Sequence, residues 1–490
     1  MANNPANRLQ EFEELIARTH KNGLKVIIDI VPNHVARKYE GKNNPAGVQD
    51  FGATDNKNVE YDKNNNFYYI PGQNFEVPIP HNDYKPLGGE NYALADGKFE
   101  EIPAKWTGNG SRLARPDFND WYETVKINYG IRPDGSKDFD ELPQGYDQKD
   151  YKEHYAFWQG KDVPSSWIKF RDIALYWTAK GVDGFRFDMA EMVPVEFWSY
   201  LNAHIKQQNP DAFLLAEVYQ PHLYRDYIKL GKMDYLYDKV EFYDSLKLVM
   251  QGKGPTSALV ETQQRMADIE HHMLHFLENH DEQRIAAPEF AGDARKGMPA
   301  MVVSATISTS PTMLYFGQHV GEPGAEDAGF GKASRTTIFD YWGVPHHQRW
   351  MNGGRFDGAD LSADELYLHN FYRALLSFTA SAPALMGAYT ELHSVNLAAN
   401  TAYSEQQLAF ARYNAAQKLI IVSHFNSEAG INFNLTVPAE LIRQWQLADG
   451  QYQLSDKLNS GENTLTVTNG VGSVALNLAP LASVILELQP

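Results

Sequence analysis

The 490-residue sequence contains no cysteine. That excludes a disulfide framework, a thiolate metal site and a cysteine nucleophile, while leaving the compartment open. It holds no run of about 18 apolar residues, so no membrane-spanning helix is expected. Residues 1–14 lack the apolar centre of a signal peptide. Positive charge is scarce: 44 Lys and Arg stand against 62 Asp and Glu, a formal net charge of −18. Phosphate binding is built on clustered cations, so neither nucleic acid nor an anionic membrane is an expected partner. An apolar fraction of 43% with 22% charged residues describes a globular chain with a real core. The length suggests about two to four domains. The 12% aromatic content supplies flat faces for core packing or for stacking on a ligand.

Hydrophobic spacing predicts a helix over residues 7–21, capped by Asn7 and stopped at Gly23, with Leu9, Phe12, Leu15 and Ile16 on one face. It leads into residues 24–31, an apolar, β-branched run that reads as a buried parallel strand. The unit recurs: Ser166 caps a helix carrying Trp167, Phe170, Ile173, Ala174 and Trp177, and a strand follows at 182–188. Pro194 then fits the first turn of a helix bearing Val195, Trp198, Leu201 and Ile205, followed by a strand at 213–217. Weaker strands fall at 233–237, 272–278 and 312–316. Strands interleaved with helices predict an α/β parallel sheet, closed or open. Residues 35–165, rich in Asn, Gly, Pro and Tyr, are too long for a loop and read as an inserted domain. Past about residue 385, short strands at 408–412, 419–424, 431–437, 464–468 and 484–488 predict an all-β domain.

Four strands end in polar residues: Asp29, Asn33 and His34 on the first, then Arg186 and Asp188, then Glu217, then Asn279, His280 and Asp281. Ligands bind at the carboxyl ends of strands in parallel α/β folds. A carboxylate there costs free energy unless it is paired or used. Arg186 and Asp188, two apart, also read as an internal ion pair, but four such ends in succession favour a cleft. There is no Gly-x-Ser-x-Gly elbow, no His-Glu-x-x-His helix and no Walker loop, since residues 329–332 lack its spacing. His271 and His275 share a helical spacing at a strand entrance, which disfavours a metal role. Asp62, Asn64 and Asn66 imitate the start of a calcium loop without its later Gly and Glu, and read as a loop. Carboxylates without a cysteine or serine motif point to glycoside or proton-transfer chemistry.

In chain order, these ends resemble the four signature regions of the α-amylase family, glycoside hydrolase family 13. Asp29 to His34 is similar to the first, Gly184-Phe185-Arg186-Phe187-Asp188 to the second, Ala216-Glu217 to the third, and Phe276 to Asp281 to the fourth. Arg115-Pro116-Asp117-Phe118-Asn119 resembles a further family motif in the inserted domain. The match covers about residues 1–390. The resemblance implies a (β/α)8 TIM-barrel catalytic domain from residues 1–34 and 166–385, an inserted B domain at 35–165 and a C-terminal β-sandwich at 386–490. On that alignment the helix at 7–21 and the strand at 24–31 match the family's second helix and third strand, so its first two strands have no counterpart here.

The implied activity is retaining cleavage of α-1,4-glucosidic bonds in starch, maltodextrins or related α-glucans. Asp188 would be the nucleophile, kept ionised by Arg186, Glu217 the general acid/base and Asp281 the stabiliser of the oxocarbenium-like sugar. His34, Arg186, His280 and Glu191 would bind substrate, and the reacting carboxyls would stand about 5–5.5 Å apart. No cofactor is required for the chemistry, while a structural calcium at Asn33 and Asp117 is implied by analogy. Glu191 and Met192 replace the Lys-His of many amylases. Glu191 is similar to the residue of neopullulanase-like and maltogenic members, which favours short or branched α-glucans; it also reads as a helix N-terminal acid ahead of Pro194. Two alternatives stay open: a non-catalytic or inactive glucan-binding relative, and a glucanotransferase or isomerase of the same family. The sequence says nothing of oligomeric state.

Overall fold

Helix and strand alternate from the start of the chain. A computed structural model describes residues 4–41, 43–78, 99–325, 343–399 and 402–489; residues 329–332 lie outside them. The chain divides into two compact units, Met1–Tyr237 and Asp238–Pro490.

In the first unit, strands Ile27–Ile30, Gly184–Phe187, Phe213–Ala216 and Tyr235–Tyr237 pair in parallel, in that order. Helices Ser165–Ala179, Val195–Gln208 and Tyr224–Lys229 alternate with the last three strands. The two middle strands are buried almost throughout, as near-continuous apolar runs should be. Gly184 permits their close approach, because a Cβ there would lie 2.0 Å from the Phe213 carbonyl oxygen. Trp167, Phe170, Phe197 and Trp198 pack edge to face on the two long helices, with both tryptophans fully buried.

Several local expectations differ from what is observed. Strand Ile27–Ile30 is half exposed rather than buried, with Ile27 at 42% and Val31 at 40%, because among the described residues it is paired only with Gly184–Phe187 and so forms an edge. Of the apolar face on helix Arg8–Lys21, Ile16 is buried while Leu9 and Leu15 are exposed. Asn7 makes no capping bond; Asn4 accepts from the Ala6 amide instead at 3.0 Å. The next long helix begins at Ser165 behind Pro164, so Ser166 lies inside it, buried against Asn66.

Residues 35–165 carry little regular structure. Among the described residues two short antiparallel pairs occur, His34–Ala36 with Thr124–Lys126 and Tyr69–Ile70 with Ala104–Lys105. Helix Tyr151–Trp158 is closed by a capping box of Asp150 and Glu153. The Asn64 to Asn66 turn is a loop by backbone, exposed at Asn64 and buried at Asn65 and Asn66. Asn65 bonds both polar groups of the Asn56 backbone, and Asn66 accepts from Gly52 and donates to Ser165.

In the second unit, strand Met273–Phe276 pairs in parallel with Thr312–Met313 across the buried helix Gly297–Thr306. An eight-stranded antiparallel sheet follows, ordered Ala388–Glu391, Gln407–Tyr413, Lys418–His424, Ser483–Leu488, Gly450–Asp456, Glu462–Thr468, Val471–Leu478, Ile431–Val437. Alternation decides its faces. Leu408, Phe410, Leu419, Ile421 and Ile485 pack with the unit's helices, while Ala409, Ala411, Ile420, Val422 and Leu486 share a second core with Leu435, Val474 and Leu476 from the far end of the sheet. The sheet therefore folds over itself. No helix among the described residues is long and apolar enough to cross a membrane.

Candidate active site

Strand register builds the site in the first unit. Asp29 is opposite Arg186, and Phe187 is opposite Ala216, so the next residues on those strands, Asp188 and Glu217, are cross-strand neighbours. Backbone bonds carry the ladder past the strand ends, from Asp188 N to Ile30 O at 2.9 Å and from Glu217 N to Phe187 O at 3.0 Å. Neighbouring strands lie about 4.8 Å apart, which sets the spacing of the two backbones. Arg186 then joins the acids. Its Nη1 donates to Asp188 at 2.8 Å and to Asp29 at 3.2 Å, and its Nη2 donates to Glu217 at 3.1 Å. Burial alone would push the Arg186 pKa down, but Asp29, the Tyr237 hydroxyl, Glu217 and the bond to Asp188 push it up, so the guanidinium stays charged.

Glu217 is buried, and its Oε2 also accepts from the Met189 amide at 2.8 Å. Met189 holds a left-handed conformation, φ 45° and ψ 38°, which costs a non-glycine residue about 1–3 kcal/mol. That turn aims the amide after Asp188 at the carboxylate of the next strand. Glu191 follows in the turn Ala190–Met192, and its Oε2 accepts from the amides of Tyr219 and Gln220 at 2.8 and 3.1 Å. It therefore pins the loop after Glu217, a structural partner other than the Pro194 helix.

His34 opens the strand His34–Ala36. Its Nδ1 accepts from Asn33 Nδ2 at 3.1 Å, which leaves the ring proton on Nε2. Burial lowers its pKa and Lys126 lowers it further, against the raising pull of Asp188. The Trp121 ring meets His34 at 5.3 Å, edge to face. With Phe118, Asp120, Tyr122, Glu123 and Thr124 these two line an open cavity of about 440 Å³.

In the second unit, Asn279 Oδ1 accepts from the amides of Asp281 and Glu282 at 2.8 and 2.7 Å, a turn that presents Asp281 at the end of strand Met273–Phe276. Asp281 and His280 form a pair at 3.0 Å. Glu278 is buried with Arg284 at 2.9 Å and is structural. His275 is also internal, its Nδ1 donating to the Ser304 carbonyl oxygen at 3.0 Å.

The residues do not fit a calcium ion at Asn33. Its only side-chain oxygen accepts from Lys126 Nζ at 2.7 Å, and its Nδ2 donates to Gly108 O at 2.9 Å. Asp117 is exposed and accepts from Asn119 within its own turn. Among the described residues no group of three or more His, Asp or Glu side chains could hold a metal.

The structure thus brings Arg186, Asp188, Glu217 and His34 together in the first unit and pairs His280 with Asp281 in the second. Sequence reading missed Met189, Trp121 and Lys126. An αL residue after the strand end leaves no sequence signal, and the other two lie where no regular pattern singles them out.

The family model described as "Alpha amylase, catalytic domain" matches residues 156–353. "Alpha-amylase 3" of Dictyoglomus thermophilum is 21% identical over 450 residues, which cover 87% of this chain and 73% of that protein. Over that segment the chain is similar to the α-amylase family of glycosidases. The α-1,4-glucan:maltose-1-phosphate maltosyltransferase of Cereibacter sphaeroides is 32% identical over 123 residues, 24% of this chain and only 18% of that enzyme. Among solved structures, the α-amylase from Geobacillus thermoleovorans complexed with acarbose is similar at a TM-score of 0.59 and 16% identity, covering 98% of this chain and 81% of that one. That likeness shows the fold class, a TIM-barrel-type α/β domain with a C-terminal β domain.

Proposed function

We propose that this chain is a retaining glycoside hydrolase of α-glucans, cutting α-1,4 bonds in starch or maltodextrins. One observation carries the reading: Asp188 and Glu217 are cross-strand neighbours held by the two arms of a single guanidinium. An inverting enzyme must leave room for a water between its acids, about 6.5–9.5 Å, whereas a retaining one needs about 5–5.5 Å. Adjacent strands joined through one guanidinium favour the shorter spacing.

In the proposed sequence, a carboxylate oxygen of Asp188 attacks the anomeric carbon as the bond to the leaving oxygen breaks. That oxygen takes the proton of Glu217, leaving a glycosyl ester on Asp188. Glu217, now ionised, removes a proton from water, whose oxygen attacks the anomeric carbon and releases Asp188. His34, donating from Nε2, holds a hydroxyl group, and Trp121 offers a ring face or edge to the sugar beside it.

Two assays test this. Following maltoheptaose cleavage by proton NMR, the α-anomer should form first; initial release of the β-anomer defeats the retaining assignment. Asp188→Asn should lower kcat by about 10³-fold or more, and an unchanged rate would remove Asp188 from the chemistry. Transfer to an acceptor other than water is a second reading, favoured by the maltosyltransferase segment. Accumulation of maltose-1-phosphate when maltoheptaose and inorganic phosphate are supplied together would decide for it.

A further inference from the structure

Lys126 is the last residue of strand Thr124–Lys126 and lies opposite His34. Its side chain is half-buried, and among the described residues it forms no ion pair. An ammonium without a carboxylate is costly to bury, so its presence calls for a job that repays the cost. What it meets is the amide of Asn33, with Nζ to Oδ1 at 2.7 Å. The other end of that amide donates to the Gly108 carbonyl and to His34 Nδ1, at 2.9 and 3.1 Å. The backbone closes the same junction, since the Ile127 amide donates to Asn33 O at 3.0 Å. One amide therefore ties three segments together: the end of the first parallel strand, the turn at Gly108 and the strand at 124–126.

A divalent calcium would need six to eight oxygen ligands at about 2.3–2.6 Å. Here the oxygen that would start such a shell faces a donor, and the second expected ligand, Asp117, is turned into its own exposed bend.

We propose that the Lys126 ammonium is the cation of this junction, built into the chain in place of a divalent metal, and that it fixes the Asn33 amide and through it the ring of His34. A tethered point charge loses no ion to a chelator, and it orients the amide oxygen as a metal would. Lys126 is on this account a positioning residue, acting on His34 through Asn33.

The test uses the full chain. After dialysis against metal-free buffer, elemental analysis should find below about 0.1 calcium per chain, and EDTA or millimolar CaCl2 should move Tm by less than about 1 °C. About one calcium per chain, lost in Asn33→Ala, with a Tm drop of several degrees in EDTA, would overturn the proposal. Lys126→Met, which keeps length and removes charge, should lower Tm by about 5 °C with no recovery in CaCl2. The same variant should raise KM for maltoheptaose roughly tenfold while kcat changes less than about threefold, because His34 binds and does not react. A Lys126→Met protein with the parent's Tm and KM would defeat it. The kinetic arm rests on the role proposed above for His34; the metal and melting arms do not. A failure of that role and a failure of the built-in cation are thus told apart, and a Lys126→Met chain that does not fold leaves the chelation result on the parent decisive.

Discussion

Glu217→Gln separates the acid from the scaffold. The carboxyl group that would protonate the leaving group also accepts two bonds on Oε2, from Met189 N at 2.8 Å and Arg186 Nη2 at 3.1 Å, so its proton sits on Oε1. A glutamine is isosteric, and its carbonyl oxygen accepts both. Charge-assisted bonds are worth about 1.5–3 kcal/mol each and neutral ones about 1. Two downgraded bonds, partly offset by one fewer buried charge, cost on the order of 1–2 kcal/mol. For a unit of this size that is a Tm drop of about 3–6 °C, so the variant folds. Loss of the proton is a larger effect, since general acid catalysis contributes about 10²–10⁴-fold. Initial rates should therefore fall about 10³-fold on maltoheptaose and far less on α-glucosyl fluoride, whose leaving group needs no proton. Azide should then restore turnover of the fluoride by replacing the water that Glu217 no longer activates. A folded variant within tenfold of the parent on maltoheptaose, or equal losses on both substrates, would refute the assignment.

Other consequences are as concrete. Arg186→Met strips the shared guanidinium from buried Glu217, half-buried Asp188 and exposed Asp29 and should cost about 3–5 kcal/mol in urea unfolding, chiefly through Glu217; a loss below 1 kcal/mol would show that the acids are held by something else. Trp121→Ala, opposite His34 at 5.3 Å, should raise KM for maltoheptaose about tenfold with kcat nearly unchanged, and an unaltered KM would take the ring out of the binding site. In the second unit, burial raises the Asp238 pKa to about 7 and lowers that of His275 to about 4, with the two side chains 3.8 Å apart. The folded state holds the Asp238 proton where the unfolded chain releases it, so this group costs stability as pH rises from about 4 to 7. His275 acts in the opposite direction, costing stability as pH falls from about 6.5 to 4. Asp238→Asn removes the first slope, so the variant should gain on the parent by on the order of 2–4 kcal/mol between pH 4 and 7, read from urea midpoints; a constant difference would refute the shift.

Much of this was legible before any coordinates. Alternating helix and strand periodicity gave the parallel strands, because burial on both faces demands unbroken apolar runs such as 213–216. Polar strand ends marked Asp188 and Glu217, since a carboxylate there costs free energy unless it is paired or used. What stayed hidden depends on contacts between distant segments. The exposure of Ile27 follows from strand order rather than from its own run, which reads as buried. Glu191 looked like a helix-start acid, and its partners lie 28 and 29 residues further on. Lys126 had no motif at all; only the pairing of 124–126 with 34–36 brings it to Asn33.

Gly184 has a consequence for how such a chain can diversify. Because a side chain there would strike the Phe213 carbonyl, the distance between the strands that carry Asp188 and Glu217 is enforced by main chain against main chain, several residues below the reacting groups. The loops above do not set that strand distance, although the Met189 amide holds the Glu217 carboxylate. Insertions and substitutions around Trp121 or after Glu191 can therefore be sampled by drift, remodelling which glucan is accepted, while the spacing of the two carboxylates is inherited unchanged.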